Sequence, residues 1–224
     1  MNNDAPDAGS ATPRGVPARI WISFLVVAAG VAGLWLATRS LDRKVSGAAR
    51  VPFGQVRDFR LTNQLGAEVT LASLRGRPWV GNVIFTRCPG PCASLTRLMS
   101  QVQAELADLP EVRLVSLTSD PEFDTPGVLA EYGRKFQADP ERWWFLTGAA
   151  AEVRRVAVQD LLLVVVEKEE EERVVPEDLF IHSTLLVVVD GEGRLRASVE
   201  GLEPGARDKV VAAVRELAQE GGRR

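Results

Sequence analysis

The sequence has few of the thiol and imidazole side chains that bind soft metals or carry redox chemistry. Its 224 residues include two cysteines, Cys88 and Cys92, and one histidine, His182. Two cysteines four residues apart are too few for a disulfide scaffold, and they indicate a redox pair, a metal-binding pair or a coincidence. With a single imidazole, any metal site in this chain has few ligands available. These three residues therefore limit the soft-metal and thiol redox chemistry that the chain can perform.

The charge distribution gives no argument for nucleic-acid binding. The formal net charge is −3, and no cluster of Lys or Arg with interleaved aromatic residues occurs. One dense run of carboxylates occupies residues 167–172, with Lys168 inside it and Arg173 at its end. Such a run is typical of a solvated loop, and a docking patch for a basic partner is the alternative. The apolar fraction of 46% is enough for one sizeable core.

The N-terminal region predicts a membrane tether. Residues 1–19 are polar and rich in Ala, Pro and Asp, which indicates a disordered tail. Residues 20–38 carry no charge, are long enough to cross a hydrocarbon core as a helix, and have a tryptophan near each end. We expect an uncleaved transmembrane anchor; a cleaved signal peptide and a buried core helix are the alternatives. Residues 39–54 are then a linker, and 55–220 form the globular domain.

The predicted globular domain alternates strands with helices. The apolar run 79–85 predicts a buried strand, and the three- and four-residue spacing of apolar side chains in 93–109 predicts an amphipathic helix. Further strands are predicted at 112–117, 143–146, 161–166, 185–190 and 194–199, a hairpin at 59–71, and further helices at 126–136, 149–158 and 205–218. This order calls for a sheet that contains parallel strands and is covered by helices. The adjacent Trp143 and Trp144 face opposite ways in a strand, which favours core packing over a ligand platform.

The two cysteines lie where the strand 79–85 leads into a helix. There, unpaired N–H groups and the helix dipole favour a thiolate over a thiol. Residues four apart lie on one helix face, so the sulfurs of Cys88 and Cys92 can point at one ion or at each other. Two thiolates suit Cu(I) and Zn²⁺, and an imidazole is compatible with either. A lone histidine is more often structural than a ligand, but a dithiol at this point is typical of thioredoxin-like folds, in which the loop of His182 would lie nearby.

A series of short motifs runs through residues 56–199. In chain order they are Phe85-Thr86-x-Cys88-Pro89-x-x-Cys92, Ser119-Asp120-Pro121, Asp124-Thr125-Pro126, Leu129-x-x-Tyr132, Leu146-Thr147-Gly148, His182-Ser183 and Asp190-Gly191-x-Gly193. In residue type and order they resemble the motifs of the Sco/SenC family. The resemblance implies a membrane-anchored, thioredoxin-like copper protein that assists assembly of the dinuclear copper centre of cytochrome c oxidase.

The resemblance also implies the ligands of the metal. The family binds copper through both cysteines and a later histidine, which are Cys88, Cys92 and His182 here; copper is expected as Cu(I), with Cu(II) left open. The chain departs from the family at Gly90, where an acidic residue is usual, and at Ala93, where proline is usual. The loop before the histidine is acidic, whereas the family has varied residues there. None of these departures removes a ligand, but they surround the site and bear on the choice of partner.

Two arguments predict opposite orientations in the membrane. Two Arg residues precede the apolar segment 20–38, whereas four cations follow it before residue 51. The positive-inside rule alone would place the C-terminal side in the cytoplasm, but the rule weakens when a long domain follows. The family argument leads us to expect a single-pass protein of the inner membrane, with the soluble domain on the periplasmic side.

The residues and the resemblance leave several functions open. The leading hypothesis is a copper metallochaperone that delivers copper to the copper-bearing subunit of cytochrome c oxidase, with the upstream donor unidentified. The second is a thiol–disulfide oxidoreductase that reduces the cysteines of that subunit, with Cys88 attacking and Cys92 resolving. A copper or redox sensor and a peroxidase-like protein are further alternatives, so whether the protein is an enzyme stays open. His182 discriminates, because a redox enzyme tolerates its loss better than a copper carrier does.

Overall fold

The computed structural model describes residues 29–33 and 52–221 of the chain. Residues 29–33 are helical. Over these described segments, no helix has both the length and the apolar character needed to cross a membrane. The tail predicted at 1–19 lies outside the described residues, as does most of the anchor predicted at 20–38, apart from 29–33, and of the linker predicted at 39–54, apart from 52–54.

Internal contacts divide the chain into two units, Met1–Ala49 and Arg50–Arg224. Within its described residues, 52–221, the second unit contains ten strands: β1 (Gly54–Gln55), β2 (Arg60–Asn63), β3 (Glu68–Thr70), β4 (Trp79–Ile84), β5 (Arg113–Thr118), β6 (Trp143–Thr147), β7 (Val165–Glu167), β8 (Phe180–His182), β9 (Leu185–Val189) and β10 (Arg194–Glu200). Its α-helices are α1 (Leu71–Leu74), α2 (Cys92–Glu105), α3 (Pro126–Lys135), α4 (Ala150–Arg154) and α5 (Ala206–Gly221). A π-helical turn, Arg155–Asp160, continues α4, and a 3₁₀ turn, Glu170–Glu172, lies between β7 and β8.

Eight strands form one mixed sheet in the order β1-β10-β9-β4-β5-β6-β2-β3. Strands β4, β5 and β6 are parallel neighbours, while β9 runs antiparallel to β4 and β2 runs antiparallel to β6. Strands β7 and β8 pair with each other in a separate two-stranded sheet. The mixed α/β fold expected from the sequence is therefore confirmed for the globular unit.

The central strand β4 is buried because both faces of the sheet are covered. All six of its residues are buried, as expected for a strand with helices or loops on either side. One face packs on α2, α3 and α5, through residues such as Leu95, Leu129 and Val210. The other face packs on α1, α4 and the π-helical turn, through residues such as Leu74 and Val153. The end of β4 is thereby fixed, and that end delivers the chain to Cys88.

Most sequence-based elements appear close to their predicted bounds. Helix α3 begins after Thr125, whose hydroxyl accepts a hydrogen bond from the Val128 N–H at 3.4 Å, as an N-cap does. Trp143 is fully buried and stacks on Phe145 with ring centroids 4.9 Å apart, whereas Trp144 is half-buried on the opposite side. Core packing is therefore confirmed for the first of the two tryptophans.

The strand predicted at 161–166 is largely wrong. The π-helical turn carries the chain to Asp160, and Leu162 has a φ of 57°, which breaks an extended conformation. Only Val165–Glu167 is a strand, and it pairs outside the main sheet. His182, expected in a loop, is the last residue of its partner strand β8.

Candidate metal centre

The loop between β4 and α2 and the first residue of α2 carry the two cysteines. Strand β4 ends at Ile84, and a turn follows in which the Cys88 N–H donates to the Phe85 carbonyl at 3.2 Å. Pro91 occupies the N-cap, and Cys92 is the first residue of α2. A proline costs little at a helix start because N–H groups there have no intrahelical acceptor. Cys92 is therefore held in the helix, while Cys88 lies in the exposed part of the loop.

Two aspartates that follow β5 fix the start of this loop. Buried Asp124 accepts hydrogen bonds from the hydroxyl and the backbone N–H of Thr86, and from the hydroxyl of Thr118. Asp120 forms an ion pair with Arg87 at 2.6 Å, and the guanidinium also lies over the Phe123 ring. The residues directly before Cys88 are thus tied to the neighbouring strand end.

The three predicted ligands meet at one point. The donor atoms of Cys88, Cys92 and His182 all lie within 4.8 Å of one another. The Nε2 atom of His182 is 3.0 Å from the Cys92 sulfur and 3.7 Å from the Cys88 sulfur. Both cysteines are free thiols; Cys92 is buried and Cys88 is partly exposed. Strand β8 supplies the imidazole, so the third donor comes from the two-stranded sheet.

The imidazole of His182 is oriented from two sides. Its Nδ1–H donates to the Ser183 carbonyl at 3.1 Å, and Nε2 faces the two sulfurs. The ring also packs edge-on against Phe85, with centroids 5.7 Å apart. A ligating histidine usually donates its other ring N–H to such an acceptor, which fixes its tautomer and orientation.

The two sulfurs differ in their protonation. The hydrogen bond from Cys92 is the largest cause that lowers the pKa of Cys88 to about 4; His182 and the Gly90 N–H contribute, and burial opposes them. The same interaction, reinforced by burial, raises the pKa of Cys92. At neutral pH the site therefore holds one thiolate and one thiol, and only one further proton must leave before both sulfurs can bind a metal.

The donor set fits a soft metal ion. Three donors bound to one ion at 2.0–2.3 Å, the range known for zinc, lie roughly 3.5–4 Å apart in a plane. The observed separations of 3.0 and 3.7 Å require only small adjustments. Two sulfurs and one imidazole suit Cu(I) or Zn²⁺ by softness. The site can therefore hold either ion with three protein ligands.

The sequence interpretation missed the residues that support the ligands. Asp124 and Thr125 were assigned only to a motif and a helix start, yet Asp124 anchors the cysteine loop. Likewise, the Thr96 hydroxyl donates to the Cys92 carbonyl at 2.7 Å and pairs with the Tyr132 hydroxyl at 2.9 Å. Polar residues inside otherwise apolar helix faces were the available signal, because such residues are buried only with partners.

A dithiol at the junction of β4 and α2 on a mixed α/β sheet, completed by one imidazole, defines a thioredoxin-like protein with a candidate site for a soft metal ion. The SCO1/SenC family model matches residues 49–219, and the chain belongs to this family. The SCO1 protein homolog of Bacillus subtilis (strain 168) is 30% identical over 163 residues, which are 72% of this chain and 81% of that protein.

Solved structures share the fold. A SCO1/SenC family lipoprotein from Bacillus anthracis str. Ames has a TM-score of 0.68 and 25% identity, over 76% of this chain and 99% of that one. BsSco, a Sco family cytochrome c oxidase assembly protein with a disulfide switch, has a TM-score of 0.65 and 29% identity, over 76% and 97%. Bradyrhizobium japonicum ScoI, solved with copper bound, has a TM-score of 0.61 and 24% identity, over 73% and 99%.

Proposed function

We propose that the protein is a copper metallochaperone that binds Cu(I) through Cys88, Cys92 and His182. The convergence of the only two thiols and the only imidazole of the chain within 4.8 Å carries this proposal. Softness alone admits zinc as well. Membership of the SCO1/SenC family favours copper, because the ScoI relative was solved with copper bound.

The acceptor in this proposal is the copper-bearing subunit of cytochrome c oxidase. BsSco, which is 29% identical, is described as a member of a family of oxidase assembly proteins. A site with three protein ligands leaves room for an incoming ligand of the acceptor, so the ion can pass by stepwise ligand exchange. The exposed side of Cys88 is where an incoming ligand would approach, since Cys92 is buried.

We also propose the membrane arrangement expected from the sequence. Residues 20–38 anchor the chain in the inner membrane, 39–54 link the anchor to the domain, and 55–220 form the copper-binding domain on the periplasmic side. The lipoprotein relative from Bacillus anthracis supports a tether at a membrane. A reporter fused after Arg224 that is active only in the cytoplasm would contradict the proposed side.

Titration of the reduced full chain with Cu(I), in anaerobic competition with a chromophoric Cu(I) chelator, tests the copper proposal. We expect one tightly bound ion for the parent and much weaker binding for Cys88→Ala, Cys92→Ala and His182→Ala. The proposal is wrong if all three variants retain the affinity of the parent. Affinity should also fall on acidification, because protons compete for the sulfur and imidazole donors.

A dithiol reductase is the second candidate, and the unequal sulfurs support it. A low-pKa, partly exposed Cys88 beside a protonated Cys92 is the arrangement of an attacking and a resolving thiol. The disulfide switch described for BsSco is consistent with such chemistry. His182→Ala separates the two roles, since it should weaken copper binding while disulfide reduction of an oxidase-subunit peptide persists.

A further inference from the structure

The hairpin that carries His182 is unusually apolar on its outer side. We call residues 165–182, which comprise β7, β8 and the loop between them, the His182 hairpin. Of the twelve large hydrophobic side chains exposed in the part of the chain that the structure describes, four lie in this hairpin, and three more, Val158, Leu162 and Val164, lie shortly before it. Single exposed apolar residues are ordinary, but such a concentration next to a metal site marks an interaction surface.

The strand register shows that this exposure belongs to one face. Val166 pairs directly with Ile181, and Val165 pairs with His182. Directly paired residues of antiparallel strands point to the same face, so Val166 and Ile181 share the exposed face of the hairpin, and the buried Val165 lies on the face that carries His182. Val166 and Ile181 are 47% and 52% exposed, and Val174 in the connecting loop is 86% exposed. The solvent-facing positions of a hairpin normally carry polar residues.

The same hairpin is strongly acidic. It contains seven carboxylates and two cations, a net charge of −5, although the whole chain carries only −3. Lys168 pairs with Asp178 at 2.6 Å, and the Arg173 guanidinium donates to the Lys168 carbonyl. The other six carboxylates form no ion pair among the described residues. Glu170 and Glu171 are exposed, and neither side chain forms a hydrogen bond or ion pair with another described residue.

A groove joins this surface to the candidate ligands. It has a volume of about 460 Å³ and is lined on one side by Cys88, Pro89 and Pro91. On the other side it is lined by hairpin residues that include Val174, Ile181 and His182. A protein seated on the hairpin would therefore place its own side chains beside the exposed sulfur of Cys88.

We propose that the His182 hairpin and this groove are the docking surface for the protein that receives copper, and that the docking face of that protein is basic around an apolar centre. This inference rests on the proposed function. Unpaired carboxylates favour and accelerate encounter with a basic surface, and apolar contact at the groove retains it. A second copy of the chain or an anionic membrane surface would bring like charges together, so charge complementarity favours a basic protein partner.

The test uses matched variants of the full chain. E170Q/E171Q removes two unpaired charges from the hairpin, and V174S removes its most exposed apolar side chain. The control for charge is E111Q/E141Q, two exposed glutamates that precede β5 and β6, at the sheet edge opposite the cysteine loop. The control for the apolar contact is L65S, whose 63%-exposed side chain lies in the β2–β3 turn at that same opposite edge.

Association and dissociation rates are measured between each copper-loaded chain and a second protein from the same organism. This protein is the cytochrome c oxidase subunit that carries the copper centre, prepared without its copper. Both proteins are in the same detergent. We expect E170Q/E171Q to slow association about three- to tenfold at low ionic strength and to match the parent at high salt. V174S should raise the dissociation rate about threefold and leave association unchanged. Both controls should behave as the parent.

Several outcomes would overturn the docking surface. The proposal is wrong if the two proteins do not associate, or if the hairpin variants and their controls have equal rates. It is also wrong if removal of the carboxylates speeds association, or if the chain dimerises through this face. Cu(I) titration of the same variants keeps the two proposals apart. Unchanged copper binding with rates insensitive to the hairpin removes the docking surface alone, whereas loss of copper binding by the parent removes the proposed function.

Discussion

Two cysteines of the same sequence motif occupy different chemical states. Cys92 is the first residue of a helix and is buried among core residues, whereas Cys88 lies in a loop with part of its surface in solvent. The hydrogen bond between them assigns the proton to Cys92, which raises its pKa and lowers that of Cys88. The sequence predicted a thiolate near the helix start and, under the reductase hypothesis, an attacking Cys88 and a resolving Cys92. The burial that leaves the proton on Cys92 depends on the packing of helix α2 and does not follow from the spacing of the two cysteines.

We expect only Cys88 to react with iodoacetamide in the reduced, metal-free protein. Its pKa of about 4 lies below the free-thiol value of 9.0, so its rate should rise through pH 4 and then stay level to pH 8. Cys92→Ala removes the main cause of this shift and should move the midpoint upward. Mass spectrometry of alkylated peptides gives the rates. A parent midpoint near that of a free thiol would contradict the assignment.

The lowered pKa of Cys88 also makes the free energy of unfolding depend on pH. Between about pH 4 and 9.0 the unfolded chain holds a proton on Cys88 that the folded chain has lost. The contribution of this cysteine to the free energy of unfolding therefore grows as the pH rises through that window and disappears as the pH falls through about 4.

At the scale of elements, periodicity predicted the parts whose structure depends on local sequence. Strand β4, helix α2 and helix α3 follow directly from an apolar run, an apolar stripe and an N-cap, so these were found. Strands β7 and β8 were not found as a hairpin, because Leu161, Leu163 and Val165 alternate with exposed residues as a sheet strand would. Their separation from the main sheet depends on the π-helical turn and on the positive φ of Leu162, which apolar patterning does not reveal.

Gly201, which follows β10, lies close to two arms of the site. One arm is helix α2, which begins with Cys92, and the other is the chain at the end of β8, which carries His182. A Cβ at Gly201 would overlap a Leu95 methyl carbon of α2 and lie 2.8 Å from the Thr184 carbonyl oxygen near β8. We expect Gly201→Ala to lower the free energy of unfolding by about 1–3 kcal/mol and to weaken Cu(I) binding, because it displaces both arms. Urea denaturation and copper competition measure the two effects.

Gly127→Ala is the matched control for this substitution. Gly127 lies inside α3, and a Cβ there would meet no atom within 4 Å. Alanine should therefore stabilise the protein by about 0.4–1 kcal/mol and leave copper binding unchanged. If both glycine variants behaved alike, tight packing around Gly201 would not be the cause.

At the scale of the whole molecule, folding is what adds the third ligand. Cys88 and Cys92 stay close in an unfolded chain, whereas His182 reaches them only when β8 lies beside the cysteine loop. The sequence indicated this meeting through the family resemblance, and the structure supplies the distances. The choice of metal does not follow from the fold, because the donor set suits more than one soft ion.

Copper should therefore stabilise the fold chiefly through His182. A ligand held only by the folded state at 100 times its dissociation constant adds about 2.7 kcal/mol to the free energy of unfolding. We expect Cu(I) to give the parent less than this value, since the unfolded dithiol also binds the ion, and to give His182→Ala almost nothing. Denaturant unfolding with and without Cu(I) measures the difference. Equal stabilisation of both proteins would remove His182 from the site.

The two-stranded sheet of β7 and β8 has a kinetic consequence. Since no ladder of hydrogen bonds between described residues ties it to the eight-stranded sheet, its amides need not wait for global unfolding to exchange with solvent deuterium. A metal ion bridging His182 to two sulfurs on the other side of the groove would cross-link this sheet to the core. Deuterium uptake in residues 165–182 would then report the copper occupancy of the site, while uptake in β4 and β5 stayed constant.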